Sequence, residues 1–195
     1  MNVIERAKFV LAAEAEAIRN IPLTDTIERA CELILSCKGK VFTTGIGKAG
    51  YVAQKAASTF CTTGSPAVFL HPGDALHGDV GAVTQGDVVI AFSNSGKTRE
   101  VLETVHFCRK LGVAGVITIT SHCEAPLALE SDVALFIGNI EEPCPLKLTP
   151  TASTAAMIAL TDALALAVME QRKFEQDDFA VRHHGGYLGE VARQR

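Results

Sequence analysis

Val88-Val89-Ile90-Ala91-Phe92-Ser93-Asn94-Ser95-Gly96-Lys97-Thr98 is the stretch on which the fold turns, because an uninterrupted apolar run meets a hydroxyl-rich loop and a helical pattern follows from Arg99 to Leu111. A continuous apolar run of this length predicts a strand buried on both faces. The loop after it places Ser93, Ser95 and Thr98 just before the first helical turn. Backbone N–H groups, the positive end of the helix dipole and the three hydroxyls then converge on one point. An anion suits that point, most naturally a phosphate, with Asn94 inside the same loop.

Two better-known phosphate loops are weighed against it. Gly96-Lys97-Thr98 has the ending of a nucleoside-triphosphate loop, but that motif needs a glycine five positions before Gly96, where Ala91 stands. Gly45-Ile46-Gly47-Lys48-Ala49-Gly50 has the spacing of a dinucleotide turn after a strand. No acidic residue closes the next strand, which ends at Leu70-His71-Pro72. Lys48 inside that turn suggests that a side-chain ammonium, and not backbone alone, faces the ligand.

Working outward, Val41–Thr44, Ala67–Leu70, Asp87–Phe92, Gly115–Thr120 and Val133–Ile137 read as strands separated by helical patterns. That alternation predicts an α/β fold: a doubly wound, five-stranded parallel sheet flanked by helices, with ligands bound outside the carboxyl ends of the strands. Two helices precede it within 3–37, the second capped by Thr24. Glu141-Glu142-Pro143-Cys144-Pro145 forbids regular structure. Thr149-Pro150 then opens a long, apolar helix to about Gln171, the start of a C-terminal extension over 150–195. With so little polar face, that helix is a core helix or a subunit interface. A short helix starts at Asp177, and Arg182 to Gly189 reads as a glycine-rich polar loop.

The 195 residues, 48% hydrophobic and without a Pro/Gly/Ser linker, predict a single domain. A formal net charge of −4 without a long basic block argues against a nucleic-acid surface. Glu5, Glu14 and Glu16 argue against a leader peptide, and Asp162 interrupts the richest apolar stretch, so a cytoplasmic protein with no membrane partner is expected. Six cysteines without a Cys-x-x-Cys pair are read mainly as buried free thiols. His71 and His122 are read as loop histidines hydrogen-bonded to their neighbours. Neither His77 with Asp79 nor His122 with Cys123 has the paired spacing that a tetrahedral metal site needs, so no metal is expected, and no cofactor is expected.

The ordered series Gly45-Ile46-Gly47-Lys48, Leu76-His77-Gly78-Asp79, Ser93-Asn94-Ser95-Gly96-Lys97-Thr98-Arg99-Glu100, Glu142-Pro143-Cys144-Pro145 and Pro150-Thr151-Ala152-Ser153-Thr154 resembles the sugar-isomerase (SIS) fold. So does the tail from Asp178-Phe179-Ala180 through His183 to Gly185-Gly186-Tyr187-Leu188-Gly189. Within that fold the chain is most similar to the arabinose 5-phosphate isomerases, over essentially its whole length. Longer members of that family carry a CBS pair after the catalytic domain. The sequence ends at Arg195, so a stand-alone SIS domain is expected. The family has proline where His184 stands, and the downstream Gly186-Tyr187-Leu188-Gly189 aligns its tail histidine with His183.

The resemblance implies an aldose–ketose isomerase that interconverts D-arabinose 5-phosphate and D-ribulose 5-phosphate. Ser93, Ser95 and Thr98 would hold the phosphate, with Gly47, Asn94, Ser153 and Thr154 adding to the substrate site. Glu142 stands where the family has its proton-transferring carboxylate, with Glu141 as its neighbour. Lys48 would stabilise enediolate charge, and His77, Glu100 and His183 occupy positions implicated in ring opening or substrate orientation. A homo-oligomer, a tetramer by resemblance, is expected. Two rivals remain at this point: a 6-phospho-3-hexulose isomerase of the same fold, and a sugar-phosphate-binding module without turnover.

Overall fold

In the computed structural model, which describes residues 1–193, the elements run in the expected alternation. Helices α1 (Val3–Arg19) and α2 (Thr26–Ser36) come first, then β1 (Val41–Gly45), α3 (Gly47–Thr62), β2 (Ala67–Phe69) and the short α4 (Pro72–Ala75). A 3₁₀ turn at Asp79–Ala82 leads to β3 (Val88–Phe92), α5 (Arg99–Lys110), β4 (Gly115–Thr120), α6 (Pro126–Leu129) and β5 (Val133–Phe136). Helices α7 (Ala152–Gln171), α8 (Gln176–Arg182) and α9 (Gly186–Arg193) complete the described chain.

All five strands are parallel in the order β2-β1-β3-β4-β5. Side chains on successive strand residues point to opposite faces, and β3 shows it directly. Val88, Ile90 and Phe92 join α2, α3 and α7 in one core layer, whereas Val89 and Ala91 join α5 residues Val101, Val105 and Cys108 in the other. Each fully buried side chain of the size of Ile90 or Phe92 contributes about 1.5–3 kcal/mol. The unbroken apolar run is therefore explained by helices on both sides.

Helix α7 is the spine of the first layer. Ala156, Met157, Leu160, Leu164 and Val168 are buried at helical spacing, and α1, α2 and α3 pack along it. It is long and apolar enough to cross a membrane on length and composition. Here it packs as a core helix, with half of its most apolar window buried and Lys55 of α3 paired to Asp162 on its side. Helix α1 begins with a capping box in which Asn2 accepts from the Glu5 N–H and the Glu5 carboxylate accepts from the Asn2 N–H, both at 2.9 Å. None of its residues is buried.

Four expectations need correction. The glycine-rich tail is not a loop beyond His183, because Gly186–Arg193 forms α9, docked on α8 with Gly189 and Ala192 buried. A Cβ at Gly189 would lie 2.4 Å from the His183 carbonyl, so the glycine that suggested a loop instead permits close helix packing. Helix α2 is entered through Asp25 without a side-chain cap, and the Thr24 hydroxyl bonds the Thr26 hydroxyl at 2.9 Å. Asp87 precedes β3, where its buried carboxylate accepts from Lys40 N–H at 2.6 Å and Thr84 N–H at 2.7 Å. Finally, the six cysteines are free, but Cys31 and Cys108 alone are buried, while Cys61 and Cys123 are exposed.

Candidate active site

The strand order reverses between β1 and β3, and a doubly wound sheet opens its ligand crevice at such a switch point. A pocket of about 300 Å³ lies there. Lys48 and Ala49 reach it from the start of α3, Ser93, Asn94, Ser95 and Thr98 from the loop before α5, and Ser153 and Thr154 from the start of α7. Three helix N-termini thus face one crevice, which concentrates unpaired N–H groups and positive dipole ends on it. Ile46, Phe92, Pro150 and Met157 supply an apolar wall.

The hydroxyl loop is rigid because its own polar groups brace it. Ser93 is 2% exposed, and its hydroxyl pairs with the Thr98 hydroxyl at 2.8 Å and accepts the Gly96 N–H at 3.1 Å. Ser93 therefore shapes the loop, while Ser95, exposed beyond its contact with the Lys97 N–H at 3.2 Å, is open to a ligand. Asn94 is clamped from β4: its side-chain oxygen accepts the Ser121 hydroxyl at 2.6 Å, and its carbonyl accepts from Thr120 Oγ1 and Ser121 N at 3.1 Å. With its oxygen so engaged, the Asn94 amide has its two N–H donors left for other partners. Gly47 opens α3 at φ 61.

Glu142 does not line the crevice; it stands behind Ser153. Its Oε2 accepts the Thr151 and Ala152 N–H groups at 2.8 and 2.9 Å, and its Oε1 accepts the Ser153 hydroxyl and, at 3.3 Å, the Ser153 N–H. The carboxylate thus caps α7 from outside the helix, nine or more residues back in the chain. Glu141, by contrast, is exposed and pairs with Lys147 at 2.5 Å. The loop between Glu142 and α7 is folded around Cys144, whose sulfur accepts the Leu148 and Thr149 N–H groups at 3.3 Å. Those donors, Thr149 foremost, pull the thiol down to about 7. From α1, Arg6 donates to the Pro143 carbonyl at 3.4 Å.

Not all of the expected residues assemble. Glu100 lies in the first turn of α5, half-buried, and His77 is exposed between α4 and the 3₁₀ turn. His183 is further away: it lines a separate hollow with Cys61, Thr62 and Pro66, at the C-terminal end of α3. From Lys48 to Cys61 along α3 is roughly 20 Å at 1.5 Å per residue. The His183 ring stacks on Phe179 at 4.2 Å between centroids, and its buried Nδ1 has no hydrogen-bond partner among the described residues, whereas His184 is exposed. His71 lies 3.5 Å from the Asp74 carboxylate. Among the described residues, no three His, Cys, Asp or Glu side chains converge in a metal-binding arrangement. Sequence reasoning missed the Thr120–Ser121 clamp and the capping of α7, since neither leaves a local pattern.

A crevice of this kind defines an α/β domain with hydroxyls and helix N-termini gathered at the carboxyl ends of a parallel sheet. Residues 34–167 match the SIS domain, and the chain belongs to that family. It is 41% identical over 191 residues to the arabinose 5-phosphate isomerase KdsD of Pseudomonas aeruginosa, an alignment covering 97% of this chain and 58% of that protein. The chain thus spans a little over half the length of such curated relatives. A Bacteroides fragilis structure, described as a candidate phosphosugar isomerase involved in capsule formation, is 45% identical. It superposes with a TM-score of 0.92 over 95% of this chain and all of the other. An Escherichia coli CFT073 protein in complex with arabinose 5-phosphate is 36% identical, with a TM-score of 0.88 over 94% of this chain and all of that one.

Proposed function

We propose that the chain is an aldose–ketose isomerase that interconverts D-arabinose 5-phosphate and D-ribulose 5-phosphate through an enediolate. One observation carries the reading: a carboxylate, Glu142, is fixed by the first turn of the helix that also walls a hydroxyl-lined anion crevice. The names and ligand of the relatives point the same way. Together they favour a pentose phosphate over a hexulose phosphate, and turnover over binding alone.

In this reading the phosphate sits against Ser95, Thr98 and the N-terminus of α5, with Asn94 donating beside it. Ser93 braces the loop. The anchored sugar reaches across the switch point toward α7, and Gly47 leaves room for it at the start of α3. Glu142 takes the C2 proton and returns it to C1. Its Oε1 is the oxygen that does so, because it has two contacts, from Ser153, where Oε2 has three, from the Thr151 N–H, the Thr151 hydroxyl and the Ala152 N–H. Lys48, on the rim, offsets the negative charge that develops on the enediolate oxygens. Ring opening falls to Glu100 and His77 on the α4–α5 side and to His183. No metal or organic cofactor enters the proposed chemistry.

His183 lies at the far end of its own protomer, so the proposal gives it to a neighbour's crevice in a homotetramer. The apolar residues Val3, Ile4 and Leu11 of α1 and Leu166 of α7 are exposed in the single chain, which favours their burial between subunits. Neither a nucleic-acid nor a membrane partner is part of the proposal, and the cytoplasm is its proposed location.

The test is a panel of arabinose 5-phosphate, ribulose 5-phosphate and hexose phosphates incubated with the metal-chelated protein in deuterium oxide. Interconversion of the two pentose phosphates, with deuterium entering at the exchanging carbon, is expected. Turnover of hexulose 6-phosphate alone, or binding without turnover, would replace the proposal by one of its rivals.

A further inference from the structure

Ser153 lines the crevice, yet its chemistry is turned the other way. It is 0% exposed as a residue, and its hydroxyl donates to Glu142 Oε1. A serine hydroxyl has one proton to donate, and this one is spent on the carboxylate. We infer that Ser153 is not a ligand of the substrate but the residue that sets the orientation of Glu142, an inference resting on the proposed role of Glu142 as the proton-transferring base.

The geometry of the carboxylate supports it. Oε2 is held by two backbone N–H groups, from Thr151 at 2.8 Å and Ala152 at 2.9 Å, which no side-chain substitution removes, and by the Thr151 hydroxyl at 3.4 Å. Oε1 is held by the Ser153 hydroxyl and by the longer 3.3 Å contact with the Ser153 N–H. Without the hydroxyl the carboxylate keeps its anchor at Oε2, and Oε1 is left with the long Ser153 N–H contact alone. The oxygen that has to meet the C2 proton then loses its fixed place. Phosphate binding, which depends on the loop before α5, is untouched.

A carbon-bound proton is abstracted efficiently only from a narrow range of positions, and a misplacement of about 1 Å costs up to roughly a hundredfold. The consequence is specific to kcat. A substrate-binding hydroxyl would show itself in KM instead. The positioning role also has a signature in combination: once Glu142 is disabled, there is nothing left for Ser153 to orient.

The experiment is a double-mutant cycle on arabinose 5-phosphate with Ser153→Ala, Glu142→Gln and the pair, with folding checked by circular dichroism. Ser153→Ala is expected to lower kcat by roughly ten- to a hundredfold with KM changed less than about twofold, and to lower it less than about twofold further in the Glu142→Gln background. Ser153→Cys, which fills the buried volume with a weak donor, is expected to behave as the alanine variant does and carries the test if alanine does not fold. A raised KM at unchanged kcat, or a loss that simply multiplies that of Glu142→Gln, would overturn the inference. If Ser153→Ala keeps normal kcat while Glu142→Gln is inactive, the inference fails and the base stands. If Glu142→Gln itself keeps normal kcat, the reading of the base fails, and the inference with it.

Discussion

Cys144 takes its acidity from the loop folded around it. Backbone donors, chiefly the Thr149 N–H, favour its thiolate and lower the thiol from 9.0 to about 7, whereas burial pushes Cys108 up to about 11. Alkylation by iodoacetamide should therefore include a component with a midpoint near pH 7 that disappears in Cys144→Ser. The sign of the linked stability follows from the direction of the shift. A group whose pKa is lower in the folded state contributes fully above its unfolded value and loses that contribution as pH falls through the folded one. The stability difference between the native protein and Cys144→Ser should thus grow from pH 7 to pH 9, as read by urea denaturation. A flat difference would mean that the thiolate is not what the loop holds. The neighbouring Glu142 was legible as a loop carboxylate, but its partners were not, because Thr151, Ala152 and Ser153 meet it only when the loop folds back.

Elements rather than single residues determine whether the crevice keeps its shape. The loop between β3 and α5 passes under α6, where Leu127 N–H donates to the Gly96 carbonyl at 3.1 Å. Gly96 adopts φ 63, and a Cβ there would lie 2.5 Å from the Ala125 Cβ and 3.2 Å from Thr120 Oγ1. Gly96→Ala must move the loop or α6. It should cost about 1–3 kcal/mol by thermal unfolding and raise KM for the phosphorylated sugar more than it lowers kcat. An unchanged KM would show that the loop does not carry the phosphate. The helix at Arg99 and the strand at Val88 could be read from periodicity alone. The same periodicity was silent on α9, where glycines chosen for close packing against His183 resemble loop glycines.

At the scale of the whole molecule, the two halves of the proposed chemistry lie at opposite ends of α3. Lys48 lines the crevice at the carboxyl end of the sheet, with Glu142 behind its Ser153 wall, and His183 is by the entry to β2. If protomers complete one another's sites, Glu142→Gln and His183→Ala proteins, each inactive alone, should regain part of the activity after mixing and subunit exchange. Light scattering at micromolar concentration should give about four times the 20.7 kDa chain mass. A monomeric mass, or no recovery from mixed oligomers, would remove His183 from the neighbour's site.

The sequence by itself determined the strands, the helices up to α8 that flank them and the two loops that border the crevice, because each rests on a local pattern: an apolar run buried on both faces, a 3.6-residue period, a glycine or hydroxyl turn. The tertiary structure decided which loops share a crevice. The reversal of strand order between β1 and β3 brings Lys48 beside Ser95 and Thr98, although some fifty residues separate them in the chain. It also decided that Glu142 caps a helix it precedes, that Ser153 faces the carboxylate, and that His183 lies far from both. These depend on packing between segments distant in sequence, and hydrogen bonds across such distances leave no period for a sequence to display.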